Sequence, residues 1–239
     1  MQTKVNGDAP PVVPTYSYDD LPRLMTLMTG DEKHSFSATS TLDVLWVLYD
    51  RVLRVDPARP DWPERDRFLL SKGHGPMAYY AVLVAKGFIP ESILPTFTRY
   101  NSPLGLHPDQ MLIPGVDLSS GSLGHGLPIA VGRALALLAQ GNRASRIFCM
   151  IGDAEFDEGT NHEAIAAAAR FGLDGLTAIV IDNRSSSLGW PGGIETRFSN
   201  EGWSAVTVDG RDHEAIEGAL LAAHPGRPHA VVAVVEPKS

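Results

Sequence analysis

The 239-residue sequence contains one cysteine, Cys149. A single cysteine cannot form a disulfide within the chain, and such sparing use is typical of a reducing compartment, so we expect a cytoplasmic protein. Long apolar runs are missing too, since no stretch approaches the roughly 20 apolar residues of a membrane span. Residues 1–14 lack the apolar segment of a secretory leader. We therefore expect no membrane as a partner.

Positive charge is also scarce. The sequence has 20 Lys and Arg against 28 Asp and Glu, a formal net charge of −8. Nucleic acids and anionic membranes bind clustered positive charge, so this balance argues against nucleic acid as a general partner. Two nucleotide-binding fingerprints are absent, because no GxGxxG follows a first strand and no GxxxxGK[ST] occurs. A different kind of α/β nucleotide-binding enzyme is therefore the least favoured interpretation.

Apolar residues make up 44% of the sequence, which is enough for a sizeable buried core. Short apolar runs predict strands at 67–70, 146–152, 176–182, 203–208 and 230–235. Helical spacing predicts helices at 41–55, 76–86, 90–100, 127–140, 158–170 and 212–223. This alternation predicts a doubly wound α/β fold, with a mostly parallel sheet and helices on both faces. We expect residues 1–14 to be an extended or disordered arm and residues 15–239 to form a single domain.

Polar residues directly follow two of the predicted strands. Asp153 follows one and Asn183 the next, 30 positions later. A right-handed crossover can make the two strands neighbours, so these side chains are expected to meet at one edge of the sheet. Carboxylate and amide oxygens suit Mg²⁺, and Gly152 lets the backbone approach an anion closely. Either residue alone is more often a helix cap or a turn residue, but the pair predicts a metal and phosphate site.

Three histidines lie in predicted loops: His34, His74 and His107. Imidazole can hold a sugar hydroxyl or exchange a proton near neutral pH. The alternative for any one histidine is a structural hydrogen bond.

Taken in order, these motifs resemble the thiamine-diphosphate enzymes of the transketolase type, and more closely the separate N-terminal subunits of split bacterial transketolases. The matching segments are Lys33-His34, where the family has Gly-His, then 66–74 (DRFLLSKGH), 105–109 (GLHPD), 114–116 (PGV), 121–124 (GSLG), Gly152-Asp153-Ala154 and Asn183. Ala154 replaces the usual final glycine of the metal-binding triplet, a small change that keeps the metal ligand.

The resemblance implies the diphosphate-binding domain of the thiamine-diphosphate fold, with thiamine diphosphate and Mg²⁺ as cofactors. It implies that Mg²⁺ is held by Asp153, Asn183 and the backbone carbonyl of Ser185. The other residues that it assigns to cofactor binding are Gly121, Ser122, Leu123, Gly152, Ala154 and Glu158. It also implies that His34, His74 and His107 are catalytic and line the channel above the thiazolium ring.

A partner chain follows from the same resemblance. In this family the glutamate that activates the cofactor belongs to a separate pyrimidine-binding domain, and 239 residues are too few for both domains. The implied partner is a C-terminal transketolase-like subunit, in an α2β2 assembly. The implied reaction moves a two-carbon ketol unit from a ketose, often phosphorylated, to an aldehyde acceptor.

Two departures leave the substrate open. His125 stands where the family usually has Gln, and residues 184–190 lack the usual apolar and acidic pattern. One alternative is therefore a thiamine-diphosphate enzyme that passes the two-carbon unit to a carrier-protein thiol or another specialised-metabolism acceptor. A second alternative is a non-catalytic scaffold subunit.

Overall fold

A parallel sheet of five strands runs through the residues that the computed structural model describes, 16–29 and 36–237. The strands are β1 (Arg67–Leu70), β2 (Ile147–Gly152), β3 (Leu176–Asp182), β4 (Ser204–Asp209) and β5 (His229–Val234). Their order across the sheet is β1-β2-β3-β5-β4, and every neighbouring pair is parallel. The predicted α/β fold class is confirmed. The predicted arm at 1–14 lies outside the described residues.

Helices connect the strands and cover the sheet. They are α1 (Leu21–Thr26), α2 (Phe36–Thr39), α3 (Leu42–Val47), α4 (Met77–Ala85), α5 (Gly126–Ala139), α6 (Gly159–Arg170), α7 (Gly193–Asn200) and α8 (His213–Leu220). A π-helical turn at Leu48–Val52 extends α3, and 3-10 turns occupy Tyr18–Asp20, Glu91–Thr96 and Glu155–Asp157. Among the helices in the described ranges, none combines the length and apolar character needed to cross a membrane.

The core has two parts, one on each face of the sheet. Successive side chains of a strand point to opposite faces. In β2, Phe148 and Met150 therefore pack with α1, α3, α4 and α8, whereas Cys149 and Ile151 pack with α5, α6 and α7. Burial on both faces explains why β2 and β3 are apolar at almost every position.

Two predictions about helices are wrong. Residues 90–100 form only the 3-10 turn Glu91–Thr96, followed by turns, and Pro95 lies inside that turn. Proline lacks the backbone N–H that a helix interior needs, so an α-helix does not continue there. Conversely, α7 lies between β3 and β4, where the apolar spacing predicts no helix.

The register of the sheet brings the ends of β2 and β3 together. Gly152 is opposite Ile181, and the amide of Asp153 donates to the carbonyl of Ile181 at 3.0 Å. The predicted adjacency of these two strands is confirmed. The segments after β1, β2 and β3 therefore meet at one edge of the sheet, where open α/β folds bind their ligands.

Candidate functional site

A pocket of about 240 Å³ lies beyond the carboxyl ends of β1, β2 and β3. Its lining residues are Lys72, Gly73, His74, Leu123, Gly152, Asp153, Ala154, Glu155, Asn183 and Ser185. Segments far apart in the sequence thus contribute to one cavity, and most of the residues predicted for the metal and diphosphate lie in its wall.

Asp153 lies at the bottom of this arrangement, with only 2% of its surface exposed. Its Oδ1 accepts hydrogen bonds from the Ala154 amide at 2.9 Å and the Ser185 hydroxyl at 2.6 Å. Its Oδ2 accepts from the amides of Ser185 at 2.6 Å and Ser186 at 3.1 Å. The carboxylate therefore holds the loop after β3 against the turn after β2.

Asn183 is buried beside the same pocket, and its Oδ1 has no hydrogen-bond partner. A buried acceptor without a donor costs free energy, so this atom beside the pocket is suited to bind a cation or a donor of a ligand. No group of three or more His, Cys, Asp or Glu in the described ranges could hold a metal. One carboxylate and one amide oxygen, with open space for phosphate and water, nevertheless suit Mg²⁺, and the residues present fit that ion.

A second carboxylate besides that of Asp153, the one of Asp157, accepts hydrogen bonds from the segment after Asn183. Both carboxylate oxygens of Asp157 accept from the Ser186 hydroxyl at 2.9 Å, and its Oδ2 accepts from the amides of Ser187 and Leu188 at 3.3 Å. Arg184 adopts a positive φ of 55°, which turns the chain sharply at the start of the segment. Ser185, Ser186 and Ser187 thus bind this segment to Asp153 and Asp157 through their hydroxyls and amides.

Two of the three predicted histidines lie together. The imidazoles of His74 and His107 meet edge to face, with ring centroids 5.5 Å apart. The His107 ring also packs against Gly73, since a Cβ on that glycine would lie 2.7 Å from His107 Cδ2. His74 lines the pocket and is exposed. His34 lies outside the described residues.

Some predicted cofactor residues lie away from the pocket wall. Gly121 contacts the His107 ring, and the Ser122 hydroxyl is 2.9 Å from Nδ1 of His125. Glu158 is exposed and immediately precedes α6. These residues border the site but do not line the cavity.

Glu155 is a pocket residue that sequence reasoning missed. Its carboxyl group is buried and accepts from the Ser71 hydroxyl, the Gly124 amide at 3.0 Å and the Gly152 amide at 3.3 Å. Burial raises the pKa of Glu155, and the shift is opposed by these three donors and by the charge of Lys72. Lys72, a member of the 66–74 motif, also lines the pocket without having been predicted as a site residue. Lys72 lies two positions after β1 and Glu155 three positions after β2, and this nearness to a strand end was the only signal in the sequence.

The family is settled by comparison with known proteins. A family model described as "Transketolase, thiamine diphosphate binding domain" matches residues 26–235. The chain belongs to the transketolase family. The predicted resemblance is confirmed at this level, and the domain is the thiamine-diphosphate-binding one.

Individual relatives agree with this assignment. The chain is 38% identical over 207 residues to a subunit of the apulose-4-phosphate transketolase of Actinobacillus succinogenes, covering 84% of this chain and 75% of that protein. It is similar in structure to the transketolase from Leishmania mexicana, with a TM-score of 0.75 and 25% identity. That match covers 92% of this chain but 37% of the solved one, so this chain spans little more than a third of that transketolase's length.

A further relative carries a different kind of name. "Ferredoxin fas2" of Rhodococcoides fascians is 58% identical over 224 residues, covering 94% of this chain and 74% of that protein. Iron–sulfur clusters are held by several cysteine thiolates. The present sequence has only Cys149, which is buried in β2, so this transketolase-family chain does not itself supply a cluster's cysteine ligands.

Proposed function

We propose that this chain is the diphosphate-binding subunit of a two-chain, transketolase-like transferase. The enzyme would move a two-carbon ketol unit from a ketose or ketose-phosphate donor to an aldehyde acceptor. Thiamine diphosphate and Mg²⁺ would be held between this chain and a C-terminal transketolase-like subunit, in an α2β2 assembly. When bound, thiamine diphosphate supplies the nucleophilic carbon and electron sink that carry the two-carbon unit.

The observation that carries this proposal is the unpartnered Asn183 Oδ1 in the pocket that also holds the buried Asp153 carboxylate. Asp153, Asn183 and the Ser185 backbone carbonyl would hold Mg²⁺. Asp153 would use an oxygen that now accepts from the Ser185 hydroxyl, and a simple side-chain rotation of Ser185 would free it. One cation would then satisfy both side-chain oxygens, and phosphate oxygens and water would complete its coordination.

The remaining lining residues suit the anionic part of the cofactor and the sugar. The Lys72 side chain runs within 3.5–3.8 Å of the position that a Cβ on Gly152 would take, and so brings positive charge to the wall. His74 and His107 would hold donor hydroxyls and move protons at the substrate oxygens. His34 would join them on the same side of the channel.

The partner subunit is supported by the surface as well as by the relatives named as subunits. The segment before α5 exposes large apolar side chains at Tyr100, Leu106, Met111, Leu112 and Leu123, of which Tyr100 is 95% exposed. Leu123 also lines the pocket. A second chain that covered this segment would bury apolar surface and close the cofactor site at once.

Calorimetric titration of thiamine diphosphate with Mg²⁺ tests the proposal. The titration would be run on this chain alone and on its mixture with the product of the adjacent gene. We expect tight binding only in the mixture. Absence of binding in both samples would favour the scaffold alternative.

The acceptor is a separate question, and the serine-rich segment keeps a second candidate open. Residues 185–188 are bound to Asp153 and Asp157 at the edge of the pocket, where the family has a different pattern. A carrier-protein thiol or a specialised-metabolism acceptor would enter the pocket past residues 185–188. Turnover assays of the loaded mixture with aldehyde sugars and with a carrier-protein thiol would decide between the two acceptor classes.

A further inference from the structure

Glu155 gathers donors from three different segments of the chain. The Ser71 hydroxyl comes from the loop after β1, the Gly124 amide from the loop before α5, and the Gly152 amide from the end of β2. The glutamate itself is 2% exposed and is separated from Ser71 by 84 positions. One carboxylate therefore joins three segments that each contribute residues to the lining of the pocket.

Ser71 extends this connection to a second point of the same loop. While its hydroxyl donates to Glu155, its Oγ accepts from the Gly126 amide at 3.0 Å. The carbonyl of Gly124 accepts from the Thr160 hydroxyl at 2.8 Å. Hydrogen bonds thus fix the segment 121–126 at three groups, which are the amide of Gly124, the carbonyl of Gly124 and the amide of Gly126.

Gly124 shows how closely this loop is fitted. Its φ is +80°, and a Cβ there would lie 2.6 Å from Glu158 Cβ and 2.9 Å from Thr160 Oγ1. The loop can occupy this place only with glycine at 124, because other residues rarely adopt this conformation and none has room. Several residues, and not Glu155 alone, therefore determine the position of the loop.

Each of the three contacts puts a hydrogen-bond donor on an oxygen of the Glu155 side chain. A carboxyl group accepts at both of its oxygens, so one side chain can bind groups from three segments. Burial raises the pKa of Glu155, and the three donors and the charge of Lys72 oppose that shift.

We propose that Glu155 is a positioning residue of the cofactor site. Its carboxylate fixes the segment 121–126 against the Ser71 loop and the turn after β2, so that these parts of the pocket lining are in place before a cofactor binds. The effect on the cofactor rests on the proposed function, whereas the ordering of the loop does not. A pre-ordered site binds more tightly because less conformational freedom is lost on binding.

Hydrogen exchange on this chain without cofactor tests the ordering directly. We expect Glu155→Gln, which has nearly the same shape but fewer acceptors, to speed exchange of the amides in 121–126 by about tenfold or more. Ser71→Ala should do the same, and the double variant should add little, because both act through one network. Glu163→Gln is the control, since Glu163 is an exposed glutamate on α6. Exchange in 121–126 that matches the wild type in both site variants would overturn the proposal.

Cofactor titration of the same variants with the partner subunit tests the consequence. We expect Glu155→Gln to raise the Kd for thiamine diphosphate with Mg²⁺ about tenfold, while kcat at saturating cofactor stays within about threefold of the wild type. A general loss of folding would reduce the active fraction and leave the Kd of the folded protein unchanged. An unchanged Kd despite a loosened loop would overturn the positioning role. Failure of the wild type to bind would instead refute the proposed function, and the exchange result would still decide the loop.

Discussion

The carboxylate of Asp153 has two competing uses. A carboxylate offers about four lone-pair sites, and four donors from Ala154, Ser185 and Ser186 occupy them. Metal binding must therefore release at least one of these donors, and the Ser185 hydroxyl is the one that can turn away most freely. The residue that would hold the metal also determines the shape of the loop around it.

Asp153→Asn separates the two uses. Asparagine keeps the size of the side chain but loses the charge and one acceptor, so we expect cofactor affinity with Mg²⁺ to fall more than about 100-fold. The fold should persist, because the sheet does not depend on this side chain. Calorimetry with the partner subunit measures the affinity, and circular dichroism checks the fold.

Asp157→Asn is the matched control for that experiment. Asp157 binds the same loop through Ser186, Ser187 and Leu188 but does not line the pocket. We expect it to weaken cofactor binding less than about tenfold, through the loop alone. Equal losses in the two variants would mean that Asp153 acts through the loop rather than as a metal ligand.

His107 should affect turnover more than cofactor affinity. Its ring contacts His74, Gly73 and Gly121, and the proposed function assigns it to the sugar. We expect His107→Ala to lower kcat by about 10²–10⁴-fold, the range typical of general acid–base groups, with a Kd for the cofactor within about threefold of the wild type. His224→Ala, at the opposite edge of the sheet, is the control. An unchanged rate in His107→Ala would assign this histidine a structural role only.

At the scale of elements, the start of α5 is the most sensitive point of the site. Gly126 is the first residue of α5, and a Cβ there would overlap the Cβ and Oγ of Ser71. We expect Gly126→Ala to lower the free energy of unfolding by about 1–3 kcal/mol, the usual cost of overpacking. Urea denaturation of the chain measures this change.

The same helix contains a control with the opposite expected sign. Gly132 is exposed, and a Cβ there would meet nothing within 4 Å. Gly132→Ala should raise the free energy of unfolding by about 0.5–1 kcal/mol, because alanine favours the helix and restricts the unfolded chain. Destabilisation by both substitutions would show that α5 as a whole, and not the contact with Ser71, sets the effect.

The success of sequence reasoning also varied from element to element. The boundaries of β1 and β3 are those that the apolar runs predict. Each of these strands is buried at every position but one, so the apolar run and the strand coincide. The segment 90–100 and α7 were mispredicted for opposite reasons. Pro95 ends a pattern that otherwise suits a helix, whereas α7 is a short, mostly polar helix that buries only Phe198 and so gives little apolar signal.

Within the site, motifs predicted residues that follow strands but not the contacts that join separate loops. Asp153 and Asn183 were found because the end of each strand is visible in the sequence. Glu155 was not, because its partners lie 84 and 31 positions away and only the fold brings them together. A buried carboxyl among several acids has no distinctive pattern of its own.

On the scale of the whole molecule, the buried strands of the sheet stabilise the fold, whereas the candidate site lies at the carboxyl edge of the sheet. The carboxyl edge has the pocket, the unpartnered Asn183 oxygen and the loops, while the central strands are apolar and buried. Leu123, which belongs to the exposed apolar segment before α5, also lines the pocket. Cofactor binding and subunit association are therefore expected to be linked, each increasing the other.

Cys149 offers a way to measure the stability of this core as a whole. It is the single cysteine, lies in β2 with none of its surface exposed, and burial raises the pKa of its thiol, with a further contribution from the charge of Glu155. Only the thiolate reacts readily, so labelling requires the central strand to open. We expect a disulfide reagent to label one thiol per chain quickly in denaturant and very slowly in native buffer.

With the partner subunit and Mg²⁺-thiamine diphosphate at 100 times Kd, labelling should slow by about 100-fold, because the ligands bind only the folded state. Rapid labelling of the loaded complex would show instead that β2 opens locally while the site stays occupied.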